Sequence, residues 1–443
     1  MLGGGKFITQ NKLLPGSYIN FVSAKDASIA LADRGYCAVA LDLDWGADGI
    51  VELTTESFQK DAKKILGYDY THEKMTPVRE LFKNAKTVYV YKINGTGAVK
   101  AKSVLATAKY AGVRGNDIAI LVEANVDDET KFDVATLIDG AIVDKQVVGK
   151  YADLVANDYV EFNIADAILE PKQQPEYLTG GVNGSEATGT EHAAFLALAE
   201  AYSFNILACN SVNKTIIDLY VAYTKRMRDE VGVKFQTVVY GKAGKDVIDP
   251  NEKGVIVLDT PVITEGVPAH YGIFWVAGAE AGCEINKTNT NKKYDGEYKF
   301  NVEYTKTQLE NAIKTGKLVF HKVGDETRVL VDINSLIEYS MEESADFSDN
   351  KVIRIIDQIG NDVALEFNTN FLGKIPNDAA GRISFWNALD NYAKKLVDLR
   401  AIQEWDNALL KISEGETKTS VVVDMVVNVV GTMEKLYMTV RVV

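Results

Sequence analysis

The side chains best able to do chemistry are thinly spread along this chain. The four histidines, His72, His192, His270 and His321, have no second histidine or cysteine within five residues, so no metal-ligand spacing forms. Cys37, Cys209 and Cys283 stand far apart, without a Cys-x-x-Cys pair, and read as three buried apolar thiols. Residues 241–246 (GKAGKD) follow an apolar run, where a phosphate loop would sit. The Walker spacing is wrong, however, and Asp246 directly after Lys245 would repel phosphate. Residues 179–185 (TGGVNGS) lack the preceding strand that a dinucleotide loop needs. Asp42, Asp44 and Asp48 imitate the start of a calcium loop, but Trp45 interrupts it and the terminal glutamate is missing. Glu342 and Glu343 lie in polar surroundings and are expected to be solvated. Lys225, Arg226 and Arg228 are followed at once by Asp229 and Glu230, the pattern of a solvated helix face. No Gly-x-Ser-x-Gly elbow offers a hydrolase nucleophile. The expectation is no catalytic residue, no metal site and no cofactor.

The composition points the same way. The chain has 443 residues, 48 Lys+Arg against 62 Asp+Glu, and a net charge of −14. A chain this acidic is a poor general partner for nucleic acid, whose phosphates need a basic face. With 47% hydrophobic residues it can fill several cores, and with 8 prolines it is neither collagenous nor disordered. The most apolar stretch, residues 271–283, includes Glu280 and falls short of the roughly 20 residues of a membrane span. Residues 1–10 (MLGGGKFITQ) lack the apolar core of a signal peptide, so synthesis in a reducing cytosol is expected, with no membrane partner.

The elements divide the chain into six parts. Residues 1–25 read as an extended arm, with Pro15-Gly16 and a short alternating stretch. Residues 26–95 read as a small α/β domain, with strands at 35–43 and 87–93 and helices at 54–66 and 77–84. Residues 96–178 carry short β runs at 118–123, 132–138, 141–148 and 159–162. Asp139-Gly140 between two of them is a strong hairpin signal, and the segment reads as an inserted β-sandwich or barrel-like domain. Residues 179–333 open on a hinge at 179–185 and alternate strands (204–209, 234–240, 254–258) with helices (190–201, 213–231, 271–283), the pattern of a helix-covered, mostly parallel or mixed sheet. Residues 334–432 hold an amphipathic helix at 350–367, a second helix within 378–405 and a β run at 420–430. Residues 433–443 are a final strand. The fold class is therefore mixed α/β and multidomain.

The two ends are the unusual feature. Leu436, Met438, Val440 and Val442 alternate with Tyr437, Thr439 and Arg441 right up to the end of the sequence. A strand there leaves an exposed edge unless it folds back or pairs with another copy. Unpaired strands at both ends suit strand addition between subunits, and head-to-tail contacts build rings or open helices.

An ordered series of motifs decides between these. NKKYDGEY at 291–298 is followed by TKTQLENAIKTGKLVF at 305–320, VDINSLIEYS at 331–340 and FSDNKVIRIIDQIGN at 347–361. GKIPNDAAGR at 373–382, AIQEWD at 401–406 and MEKLYMTV at 433–440 complete it. LPGSYINF at 14–21 and the junction YLTGGVNG to FNILACN within 177–210 add to the pattern. This series resembles the sheath protein of contractile phage tails, in the branch of Gram-positive phages, defective prophages and phage-tail-like bacteriocins.

The resemblance implies a structural part that is not an enzyme. Its subunits form stacked rings, hexameric by analogy, around an inner tail tube protein, with baseplate and tail terminator proteins at the ends. The N-terminal arm (Leu14, Pro15, Gly16, Tyr18, Ile19, Asn20, Phe21) and the C-terminal strand (Glu434, Leu436, Tyr437, Met438, Val440) would complete sheets in neighbouring copies. Contraction would drive the tube through a cell envelope without nucleotide hydrolysis. Arg382, Lys394, Lys395 and Arg400, on one helix, are the expected tube-facing cations. The alternatives are a non-contractile self-assembling tube or shell protein and an α/β-domain enzyme.

Overall fold

The computed structural model describes residues 29–163 and 169–442. The chain forms two compact units. The larger comprises Asp33–Gly360 and the C-terminal segment from Gly431. The smaller comprises Asn361–Val430 with the described residues up to Ala32.

The larger unit is built on a seven-stranded sheet. Its strands are β1 (Tyr36–Leu41), β2 (Ile50–Thr54), β3 (Thr87–Lys92), β4 (Ile206–Ala208), β5 (Gln236–Tyr240), β6 (Val255–Leu258) and β7 (Lys317–Leu318). They lie in the order β7-β6-β5-β4-β1-β3-β2. All neighbours run parallel except β2, which is antiparallel to β3 at the edge. Runs such as YCAVAL and VIVL are apolar on both faces because helices cover both. The helices are α1 (Thr55–Leu66), α2 (Thr76–Phe82), α3 (Gly189–Ala199), α4 (Lys214–Arg226) and α5 (Gly272–Gly282). Cys37, Val39 and Leu41 pack with α1, α2 and α5; Ala38 and Ala40 pack with α3 and α4. All three cysteines are buried, as their sequence surroundings suggested.

Helix α5 is enclosed from Gly272 to Ala281. Its glycines let it touch the end of α2 backbone to backbone: a Cβ on Gly278 would sit 2.3 Å from Leu81 O, and one on Gly282 2.0 Å from Asn84 O. The inserted domain is an antiparallel sheet of Ala141–Val148, Phe132–Ile138, Ile118–Ala124 and Glu176–Tyr177, with a short ladder of Ala106–Ala108 and Val160–Phe162. It is a sandwich and not a barrel. Asp139 and Gly140 turn the hairpin with φ of 53° and 75°, as Asp-Gly turns require. The stretch 179–185, expected to be a hinge, is laid against residues 95–102 through bridges at Val99–Val182 and Lys102–Thr179. Its glycines serve close approach: a Cβ on Gly184 would lie 2.2 Å from Gly95 O.

Helix α6 (Lys306–Lys314) and helix α7 (Asn350–Glu366) follow, and α7 passes from the larger unit into the smaller at residue 360. The smaller unit adds α8 (Ala379–Asp398) and a hairpin of Leu410–Glu414 with Val421–Met425. Phe385 packs on Phe367 and Phe371 with ring centroids 5.5 and 4.7 Å away. Tyr392 donates a 2.7 Å hydrogen bond to Asp362.

Candidate assembly surfaces

The final strand expected from the sequence joins no ladder: residues 431–442 adopt neither helix nor strand. An extended segment counts as a strand only when a partner supplies hydrogen bonds, and the described chain offers this one none. Leu436, Tyr437, Met438 and Val440 are 85, 90, 73 and 70% exposed. The root of the segment is held by the larger unit. Thr290 donates its hydroxyl to Glu434 Oε1 at 2.8 Å, and Lys351 Nζ donates to Thr432 Oγ1 at 3.2 Å. The N-terminal arm residues Leu14, Pro15, Gly16, Tyr18, Ile19, Asn20 and Phe21 lie outside the described residues.

The four expected tube-facing cations sit on α8 and just after it. Arg382 is at the start, where its guanidinium donates to Asn377 O and Oδ1. Lys394 pairs with Asp390 at 2.6 Å, one turn earlier. Lys395 Nζ donates to Ile29 O at 2.9 Å. Arg400 lies beyond the helix end, exposed, with φ 59°. The helix thus places them along one element, but three already serve neighbours within their own unit.

The larger unit hides a charged cluster that sequence reading missed. Arg354 Nη2 donates to Glu280 Oε2 at 2.6 Å and Asp332 Oδ2 at 3.2 Å, and all three are buried, Arg354 at 2% exposure and the carboxylates at 1%. Asn289 Nδ2 donates to Glu280 at 2.7 Å, and Asn350 Nδ2 to Asp332 at 2.8 Å. Burial, then the nearby Asp332 charge, pushes Glu280 up to about 8. Burial would also raise Asp332, but Arg354 and its hydrogen bonds hold it below the ordinary range. A second pair joins Arg228 to Asp357, bidentate at 2.6 and 2.7 Å. Arg228, expected on a solvated face, is in fact 2% exposed, because the π-helical turn Met227–Val231 that continues α4 brings it to Asp357 midway along α7. In the sequence, Arg354 and Asp357 look like a surface pair one turn apart, which conceals that each bonds to a different distant partner.

One cleft, of about 640 Å³, is lined by Asp42, His192, Asn210, Ser211 and His270 among others. Another, of about 860 Å³, is lined by Asp42, Asp44, Lys74 and Glu297 among others. Asp44 is engaged there by Lys74 Nζ at 2.5 Å and Tyr68 Oη at 2.8 Å, so it serves an ion pair and no calcium loop. His192 lies 3.0 Å from Tyr220 Oη and His270 3.0 Å from Asn210 Oδ1; burial pushes both down to about 4. Both are held neutral, His192 buried and His270 half-buried. Among the described residues, no three His, Cys, Asp or Glu gather in a metal-binding group.

Comparisons with known proteins match this picture from end to end. Family models cover residues 34–93 (tail sheath protein Gp18 domain III, N-terminal region), 93–183 (phage tail sheath protein β-sandwich domain), 185–335 (phage tail sheath protein central domain) and 342–443 (phage tail sheath C-terminal domain). Phage-like element PBSX protein XkdK of Bacillus subtilis (strain 168) is 30% identical, with all of both chains covered. This chain belongs to the phage tail sheath protein family. The family is structural and not enzymatic. The sheath fold is shared with the solved sheath tail protein of Desulfitobacterium hafniense, at 31% identity and a TM-score of 0.81 over 96% of this chain and 100% of that one. At 13% identity the fold also resembles the anti-feeding prophage helical sheath in its contracted state, TM-score 0.58, covering 97% of this chain and 99% of that one. By its family, the chain is a phage tail sheath component.

Proposed function

We propose that this sheath chain polymerises into a helical sheath around an inner tube, and that the sheath contracts to drive the tube through a cell envelope. The observation that carries the reading is the bare C-terminal segment. Its apolar side chains alternate and stay exposed on a single chain, so a second copy is needed to bury them and to satisfy its backbone. The hairpin Leu410–Glu414/Val421–Met425 is the natural acceptor: it is a two-stranded sheet in the smaller unit, with Val422 52% exposed and ladder edges open among the described residues. Two-stranded sheets gain most from added strands. The resemblance of fold to a sheath in the contracted state supports the contraction step.

Within this reading the six segments take separate roles. Segments 1–25 and 433–443 link copies, 26–95 and 179–333 form the α/β body, 96–178 is an outer β domain and 334–432 receives the arms and faces the tube. The rings are hexameric, and baseplate and terminator proteins close the two ends. Assembly occurs in the bacterial cytoplasm. Contraction is a rigid-body repacking that draws on the stored energy of the extended sheath, and no nucleotide is hydrolysed.

Negative-stain electron microscopy of the purified chain, beside a version ending at Thr432, tests this reading. Striated tubes from the full chain and monomers from the shortened one are expected. Equal assembly by both would refute the arm's role.

A further inference from the structure

The C-terminal segment does not stay with the unit that precedes it. Val430 N–H still bonds to Ala401 O within the smaller unit. From Gly431 the chain belongs to the larger unit, where Thr432 and Glu434 are bound by Lys351 and Thr290. Both binding residues are themselves fixed. Thr290 Oγ1 accepts the N–H of Asp332 at 3.0 Å, and Asp332 is locked by Asn350 and Arg354. Lys351 stands in the first turn of α7 and is 3% exposed. Beyond Glu434 the character changes within two residues, to side chains such as Leu436 and Tyr437 that are 85 and 90% exposed.

We propose that Thr290 and Lys351 form a seat for the root of the arm: they bind residues 432–434 to the α/β unit, and the arm swings about Lys435 when neighbouring copies repack. This rests on the sheath reading above and adds where the link is anchored. The contacts form a continuous path. A pull on the arm reaches Glu434, then Thr290, then the Asp332–Arg354–Glu280 cluster and α5, without depending on the hairpin unit through which the chain has just passed. The two seating bonds are partly solvated, so each is modest, and together they change an equilibrium by about tenfold. Thr290 and Lys351 are positioning residues in this scheme.

The test substitutes the arm's own exposed side chains, which spares the fold. The full chain carrying Thr432→Val and Glu434→Ala is compared with the parent and with Glu434→Gln, which keeps an acceptor oxygen for Thr290. Backbone NMR order parameters of the monomer are read at residues 433–435 and at 437–442, and the critical concentration for tube formation is read by light scattering. The double variant should melt with the parent, lose the order of 433–435 to the level of 437–442 and need about tenfold more protein to assemble, with Glu434→Gln close to the parent. The seat is overturned if residues 433–435 of the parent are as mobile as 437–442, or if the double variant assembles at the parent's concentration. A chain ending at Thr432 separates the two readings. If it fails to assemble while the double variant succeeds, only the seat falls; if it assembles normally, the arm's linking role falls with it.

Discussion

Arg354 is enclosed with two carboxylates and few competing cations, so its loss should be felt more than that of any surface charge. Arg354→Met would leave Asp332 charged and unpaired in the core, and should destabilise the chain by about 3–5 kcal/mol, read by urea unfolding. A pH effect belongs to Glu80. It is fully buried, accepts hydrogen bonds from Tyr294 Oη at 2.8 Å and Glu297 N at 2.5 Å, and burial pushes it up to about 7 from the usual 4.5. The folded chain therefore binds a proton that the unfolded chain releases between those values. Stability from this group is complete below pH 4.5 and declines as pH rises through 7, by about 3 kcal/mol. Melting temperatures of Glu80→Gln between pH 5 and 8 should show a flatter profile than the parent. His192 and His270 act in the opposite sense: their depressed values mean stability is lost as pH falls from 6.5 towards 4. None of these partnerships was legible in sequence, since every partner lies far along the chain.

At the scale of elements, glycines give the sharpest contrast. Gly278→Ala should push α5 off the α2 carbonyl of Leu81 and destabilise by about 2 kcal/mol. Gly360→Ala, in α7, meets only the Lys234 side chain at 3.6 Å and removes a poor helix former, so it should stabilise by about 0.5–1 kcal/mol. Thermal melts of the two variants moving in opposite directions is the expected result; a shift of both in one direction would contradict the packing argument. Helices α1, α4, α7 and α8 and the five inner strands of the main sheet were legible, because burial imposes its pattern on the residues, whereas the edge strands β2 and β7 were not. The Asp139-Gly140 hairpin was legible from local turn chemistry alone. The reason for the glycines at 179–185 was not, since they answer to the backbone at 95–102 and to nothing beside them.

For the whole molecule, the question is which surfaces other chains cover. Lys395 already holds Ile29 O and Lys394 holds Asp390, so alanine at both tests a burdened face. If α8 faces the tube, this double substitution should weaken co-sedimentation with the inner tube several-fold while the melting temperature falls by only a few degrees. Unchanged binding would move the tube contact to another element. Removal of residues 433–443 should lower the exposed apolar area and leave a soluble monomer, read by size-exclusion chromatography and microscopy.

By itself the sequence determined the mixed α/β class, the separate β domain, the order of most helices and inner strands, and the alternating apolar end that calls for a partner. These follow from local period, turn residues and composition, which every residue reports directly. The series of motifs along residues 14–440 carried the likeness to the sheath family. Only the tertiary structure decided the strand order, with β4 and β3 on either side of β1. It also brought Arg228 to Asp357 and Arg354 to Glu280 and Asp332, and returned Thr432 and Glu434 to the α/β unit at Lys351 and Thr290. Such pairings join residues as much as 144 positions apart, and nothing in the neighbourhood of either residue encodes the distance that folding removes.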